Sequence, residues 1–366
     1  MASTDTMTAS NLPFISQTAD TQTILFRADA TRALGTGHLM RCLALAELCM
    51  EQGKKVVFAV GECPAALSPR LTASKIEVVV LEDGRDAEEL LSRIQRYQPV
   101  GIVIDGYQFD EHYRQSLAAS GLPVLAMDDG TSTHPLHADI VVNSSPLASA
   151  ADYATIAAGA RLLLGPDYAP LRSEFRHCKP VAQASSADVP HVLVTFGGSD
   201  PLGLTLPVVT ALLDTLPQQL LLDVVVGGAT ADDDKIDRLA REHTGRIHLH
   251  KNTSRMAELM QHATLTITAA GSTLWELAYL AIPTIAVVVA DNQAVMLKPP
   301  LGDWFDSIDA RSSRENAVAQ IARASQALWQ DSETRSQRRT ALSRLRVGEK
   351  AAAICTSFDK ISKRPL

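Results

Sequence analysis

Several broad classes are excluded by what the chain lacks. None of its apolar runs reaches the ~18–20 residues that a membrane-crossing helix needs, so no span is predicted. Residues 1–22 are rich in Ser and Thr, with two Asp and no Lys or Arg. They have neither the basic region nor the apolar core of a secretory signal and read as a disordered leader. Basic residues are not in surplus: 34 Lys and Arg stand against 41 Asp and Glu, for a net charge of −7. No global positive field points to nucleic acid, and an anionic ligand would have to be met locally by helix ends and a few Arg side chains. The five cysteines (Cys42, Cys49, Cys63, Cys178, Cys355) make no C-x-x-C pair and no metal-ligand spacing. They are expected to be small apolar residues in a reducing, cytoplasmic setting, and no metal or cofactor is expected. No short-period repeat or low-complexity tract is present.

What is there is core material in an alternating pattern. At 366 residues and 46% hydrophobic content the chain is comfortable as two domains. Strands are predicted at Ile24–Phe26, Lys55–Val60, Ile76–Leu81, Val100–Asp105, Pro123–Met127 and Ile140–Val142. Helices fit Gly37–Met50, Asp86–Tyr97 and Asp110–Ala119. A second set of strands begins at His191–Phe196 and continues at Leu220–Val226, Arg246–Leu249, Leu265–Thr268 and Thr284–Val289. Its helices fit Thr205–Leu213, Asp233–Arg241, Arg255–Met260 and Thr273–Leu280, then Glu315–Leu328 and Glu333–Leu345. Continuous apolar strands alternating with helices predict parallel sheets covered on both faces. The α/β chain therefore divides into a leader (1–22), a first Rossmann-like domain (23–175), a polar linker (176–189), a second Rossmann-like domain (190–345) and a C-terminal helix and tail (346–366).

The most informative stretch runs from Phe26 to Leu43. A strand ends in Phe26-Arg27-Ala28-Asp29, two glycines follow at Gly35 and Gly37, and a helix opens with His38 in its first turn and Arg41 behind it. Glycines there let a ligand approach the backbone, and helix-end amides favour an anion. His38 stands at the carboxyl end of a strand, where open α/β sheets hold ligands. An ordinary strand-to-helix turn is the simplest account. A dinucleotide fingerprint fails, because its third glycine is Met40. The string F-R-A-D followed by G-x-G-H-x-x-R resembles the opening signature of the PseG family, UDP-sugar hydrolases of pseudaminic acid synthesis, and of their SpsG-like relatives.

Further blocks carry the same resemblance. Asp105-Gly106-Tyr107 stands where the family has D-H-Y, so Gly106 replaces a histidine while Tyr107 is kept as a substrate hydrogen-bonder. By itself Asp105-Gly106 reads as a turn. Asp128-Asp129 matches a D-D pair, of which at most one should face a cleft. Leu164 to Arg172 matches a second block with an expected structural role, its Tyr168 and Arg172 at the border of the cleft. In the second half, Gly197-Gly198-Ser199-Asp200 resembles the family's G-G-x-D. Gly271-Ser272-Thr273-Leu274-Trp275-Glu276 resembles the UDP-binding segment of PseG and MurG-like proteins, whose glutamate grips the ribose. Alone, Thr273-x-x-Glu276 would read as a capping box. Asn292-Gln293 matches the family's N-Q, with amides that would reach the diphosphate or sugar; alone it would read as a polar strand-exit turn. The resemblance covers roughly residues 24–293. It weakens at Lys298-Pro299-Pro300, which interrupts the helix expected after N-Q.

The resemblance implies a GT-B fold, with two doubly wound Rossmann-like domains facing across a cleft. It implies metal-independent, inverting hydrolysis of a UDP-sugar to UDP and a free amino or deoxy sugar. Neutral His38 would be the general base that deprotonates water, with Asp29 orienting it and Tyr107 assisting. Gly35, Gly37, Arg41 and Asp105 would line the sugar side. Gly197, Gly198, Gly271, Ser272, Thr273, Glu276, Asn292 and Gln293 would hold the nucleotide. A GT-B glycosyltransferase, with an acceptor hydroxyl or amine in place of water, shares this donor site. A nucleotide-sugar-binding protein without turnover is the third reading. The sequence names neither the sugar, nor an acceptor, nor the oligomeric state.

Overall fold

A computed structural model describes residues 22–30, 36–61, 71, 74–178, 190–228, 230, 232–299 and 301–361. The leader, Gly35, Cys63, most of the 176–189 linker and Pro300 lie outside the described residues.

Two parallel sheets follow one another along the chain. The first contains β1 (Thr23–Ala28), β2 (Lys55–Val60), β3 (Glu77–Val80), β4 (Gly101–Asp105), β5 (Val124–Met127), β6 (Ile140–Asn143) and β7 (Arg161–Leu164). Their spatial order is β3-β2-β1-β4-β5-β6-β7. The second contains β8 (His191–Thr195), β9 (Leu221–Val226), β10 (Ile247–Lys251), β11 (Ala263–Ala269), β12 (Thr284–Val288) and β13 (Asp306–Asp309), in the order β10-β9-β8-β11-β12-β13. In both sheets the order reverses beside the first strand. That reversal opens a crevice at the carboxyl ends of the central strands.

Helices cover both faces. In the first unit α1 (Gly37–Glu51) lies on one face, and α2 (Ala87–Tyr97) and α3 (Glu111–Ala119) on the other. Asp86 and Asp110 cap the last two, each accepting a backbone N–H of the first turn. A short α4 (Ser173–Arg176) leads out of the first unit. In the second, α5 (Thr205–Thr215), α6 (Asp233–Glu242), α7 (Met256–His262), α8 (Thr273–Tyr279), α9 (Arg314–Gln330) and α10 (Ser332–Ser343) play the same part. Strands β1, β4, β5 and β6 are buried at every position, which is why they read as unbroken apolar runs. The expected two-unit α/β architecture is the observed one. Strands β7 and β13 were not expected: both lie at sheet edges, and Asp306-Ser307-Ile308-Asp309 has a single apolar residue to announce it.

After α10 the chain returns to the first unit. Gly348 and Lys350 donate backbone bonds to Pro166 and Asp167, and α11 (Ala352–Cys355) packs on α1. Cys49 and Cys355 are joined by a disulfide, with Cα atoms 5.3 Å apart. This corrects the expectation of reduced cysteines throughout; of the described cysteines, Cys42 and Cys178 are free. A separation of 306 residues hid the pairing from local spacing. Phe358 then seats its ring over Gly101 at the start of β4, in space that any Cβ there would invade. Gly101→Ala should therefore overpack this joint and destabilise the protein by about 1–3 kcal/mol in urea unfolding. Phe358→Leu in the same chain should recover part of the loss, and an unchanged midpoint for Gly101→Ala would contradict the packing.

Candidate active site

The site begins with two side chains three residues apart on the first turns of α1. His38 and Arg41 share a face of that helix. Arg41 reaches the end of β4 and holds Asp105 as a fork, Nε to Oδ2 at 2.5 Å and Nη2 to Oδ1 at 2.6 Å. Asp105 is fully buried, and the thiol of Cys42 also points to its Oδ2 at 3.6 Å. Charge pairing with Asp105 raises the pKa of Arg41 despite its burial. Two of the groups expected at the sugar are therefore spent largely on each other, and the pair clamps α1 against β4.

Past Asp105 the chain turns at Gly106, whose φ of +149° suits glycine. A Cβ at Gly106 would collide with the amide of Gln108, so Gln108 fills the space beside the position where the resemblance has a histidine. Arg114 holds this turn by donating to the carbonyls of Gly106 and Phe109 at 3.1 Å. Tyr107 is thereby set against His38, ring centroids 4.6 Å apart and nearly perpendicular. Its hydroxyl donates to Asp129 Oδ2 and accepts from Asn292 Nδ2 at 2.9 Å.

The two adjacent aspartates at the end of β5 part ways. Asp128 turns inward and accepts from Tyr153, Ser132 and the Gly130 amide. Asp129 faces the cleft, with Thr131 donating to its other oxygen at 2.7 Å. Burial alone would push Asp129 up; the Arg41 charge and the bonds from Tyr107 and Thr131 outweigh it and hold the carboxyl below its usual range. Burial, reinforced by Asp129, pushes the Tyr107 phenol up.

His38 is 7% exposed, and its buried Nδ1 has no partner among the described residues. Burial pushes its pKa below the ordinary imidazole value of 6.5, and Arg41 adds to this; Asp105 and Asp129 pull the other way. The ring is thus neutral at physiological pH. Asp29, expected to orient it, pairs with Arg27. Its two oxygens accept from Arg27 Nη1 and Nη2 at 2.5 and 2.8 Å, from the Gly61 amide and from Gln108. Arg27 is fully buried, bonded also to Tyr113, Ala59 and Gly84 and stacked on Phe109. The F-R-A-D signature is accordingly a buried ion pair at the sheet's end. A charge in the core needs its counter-charge within reach, and Asp29 is that counter-charge.

The second unit brings its own glycine turns to the same crevice. Gly197 has φ +79° and open space above it. Gly198 is a packing glycine instead: a Cβ there would lie 2.6 Å from Thr36 of the first unit. Asp200 caps α5 through the amides of Leu204 and Thr205. At the other turn the Gly271 amide is already bonded to Ala269 O, which leaves Ser272 and Thr273, at the start of α8, with amides that no helical carbonyl precedes. Gln293 accepts from the Val289 amide, and its side-chain nitrogen lies toward Gly271. The N-cap residue of α8 is Ser272, whose side chain makes no cap bond. Glu276 lies one turn into that helix and is buried. Its carboxylate is forked by Arg172, Nε to Oε1 at 2.6 Å and Nη2 to Oε2 at 2.9 Å.

The structure therefore brings together His38, Arg41, Asp105, Tyr107 and Asn292, and separately Glu276 with the Gly271–Thr273 turn. It pairs Asp29 with Arg27. Sequence reasoning missed Asp129 as the bridging acid and Arg172 as the partner of Glu276. It also missed a cluster of groups of the kind that can ligate a metal, His191, Asp223 and His248, on three neighbouring strands. Their signal is short: alternate histidines in His248-Leu249-His250 share one strand face, but the strand register that sets them beside Asp223 is tertiary.

With this geometry in view, residues 191–296 match the glycosyltransferase family 28 C-terminal domain. An uncharacterised protein of Methanocaldococcus jannaschii is 26% identical over 266 residues, 71% of this chain; the chain spans 54% of that relative's length. UDP-2,4-diacetamido-2,4,6-trideoxy-beta-L-altropyranose hydrolase of Campylobacter jejuni is 24% identical over 272 residues, 74% of this chain and 93% of that one. Among solved structures, MurG of Acinetobacter baumannii superposes with a TM-score of 0.60 at 13% identity, over 93% of this chain and all of that one. The fold is GT-B.

The Arg41–Asp105 fork makes a direct forecast. Arg41→Met leaves a buried carboxylate without its cation and should cost about 3–5 kcal/mol in urea unfolding. Adding Asp105→Asn should restore part of that, and additive losses in the double variant would show that the pair is not coupled.

Proposed function

We propose that this chain, a member of a PseG-like family with the GT-B fold, is an enzyme that hydrolyses a UDP-sugar with inversion at C1. The observation that carries the reading is His38: a neutral, buried imidazole at the cleft, edge-on to Tyr107 and backed by Asp129. A water in the cleft gives its proton to His38 as its oxygen attacks C1 from the face opposite the diphosphate. The bond between C1 and the diphosphate oxygen breaks, and the electron pair leaves with UDP. Asp105 and Asp129 favour the imidazolium that forms, which offsets the cost of charging a buried ring. The amides of Ser272 and Thr273 and the Gly197 turn meet the charge that develops on the leaving diphosphate. Glu276, oriented by Arg172, accepts from the ribose hydroxyls. The hydrolase relative matched over 93% of its length supports water as the nucleophile. A glycosyltransferase on the same donor site is the second reading, supported by the family 28 match over residues 191–296.

Incubation with UDP-sugars, first alone and then with candidate acceptors, separates the two. UDP release without acceptor supports hydrolysis; release that needs an acceptor moves the protein to the transferases. His38→Asn should lower kcat by about 10²–10⁴-fold while leaving UDP affinity nearly unchanged. In the parent enzyme the rate should fall as pH drops through a midpoint below 6.5, because the protonated ring accepts no proton. A variant within a few-fold of the parent at saturating substrate would remove His38 from the mechanism. Activity is expected to persist in EDTA.

The nucleotide side is tested separately. Glu276→Ala should weaken UDP binding by about 1–3 kcal/mol, the range for a hydrogen bond to a charged group. The change also takes from Arg172 its forked partner, leaving the bond to Glu174, so unfolding is measured alongside. Full UDP affinity in a folded variant would confine Glu276 to pairing with Arg172.

A further inference from the structure

Away from the cleft, three neighbouring strands of the second sheet turn imidazoles toward one carboxylate. Strands β10, β9 and β8 are consecutive in the sheet. Asp223 on the middle strand is directly opposite His248 in register, and His191 opens the third strand on the same face. His191 Nδ1 lies 2.5 Å from Asp223 Oδ2, and His248 Nδ1 lies 3.6 Å from Oδ1. One ligand atom from each of the three falls within 4.8 Å of the others. His250, two residues along β10, places Nε2 2.9 Å from the same Oδ1.

We propose that His191, Asp223 and His248 form a binding site for a divalent transition metal of the zinc class. The donor set is two imidazole nitrogens and a carboxylate oxygen, which suits Zn²⁺, Co²⁺ or Ni²⁺ rather than Ca²⁺ or Mg²⁺. Around a tetrahedral ion with bonds of about 2.1 Å, ligand atoms stand roughly 3.4 Å apart. The observed separations bracket that value, so small side-chain rotations close the shell without moving the strands. Asp223 is 4% exposed in its side chain and so is a fixed, preplaced donor between the two strands that flank it. His191 and His248 are 25% and 45% exposed in theirs, which leaves the ion a path from solvent and an open coordination position. His250 acts from outside the shell as the group that fixes the carboxylate.

The site is distant from the proposed reaction. His191 precedes Gly197 by six residues, roughly 20 Å of extended strand. The bound ion would tie the edge strand β10 to the sheet centre and act on stability. This inference is independent of the hydrolase reading.

The test uses the full chain without an affinity tag, stripped with EDTA and dialysed. Zinc is titrated calorimetrically, Co²⁺ binding is followed by visible absorption, and unfolding temperature is recorded with and without Zn²⁺. The expected results are one equivalent bound, the absorption of tetrahedral Co²⁺, and a higher unfolding temperature with zinc. His191→Gln and His248→Gln should each weaken binding at least tenfold and abolish the thermal shift, whereas His112→Gln, on α3, should change neither. Should His191→Gln fail to fold, the half-exposed His248 carries the comparison alone. No saturable one-to-one binding in the parent protein, or undiminished binding and thermal shift in His248→Gln, would overturn the proposal.

Discussion

The candidate site depends on one ion pair. Arg41 on α1 and Asp105 at the end of β4 grip each other through two parallel bonds in a buried setting. Such a fork fixes orientation as well as distance, because the guanidinium plane and the carboxylate plane must coincide. His38, three residues before Arg41, and Tyr107, two residues after Asp105, hang on these two elements, and Asp129 joins them from the end of β5. Sliding α1 by a single turn would carry the imidazole away from the phenol ring. The second pair, Arg172 with Glu276, works likewise in joining the segment that leaves the first unit to the helix behind the Gly271 turn.

Most of the architecture was legible because parallel sheets announce themselves. A strand buried on both faces is mostly apolar, and the runs 102–104, 140–142 and 285–288 have that character. The order of elements then leaves few topologies, since crossover connections keep one hand. Of the edge strands, β3 and β10 were legible and β7 and β13 were not; β13 has a single apolar residue to announce it. Site residues divided along a similar line. His38 was marked by its place at a strand end and in the first turn of a helix, Tyr107 and Asn292 by the family resemblance. The pairing of Asp29 with Arg27 went unseen. Arg27 is a strand residue whose burial cannot be guessed from a single position, and once it is inside, a counter-charge must follow.

The same limit explains what went unseen. A fork between residues 172 and 276, a disulfide between 49 and 355 and a carboxylate among histidines 191, 248 and 250 are all relations across distance in the chain. Local pattern gives the type of each residue and the element it sits on. It does not give which elements end beside one another, and the chemistry of all three follows from that adjacency.

The return of the chain to its starting unit sets the order in which that unit can be completed. The chain enters the second unit at β8 and comes back near residue 348 to finish against α1 and β4. The Phe358 ring over Gly101 and the Cys49–Cys355 bond are thus made by residues synthesised after the whole second sheet. Until those residues arrive, the outer side of α1 and the start of β4 lack the cover that the finished molecule gives them.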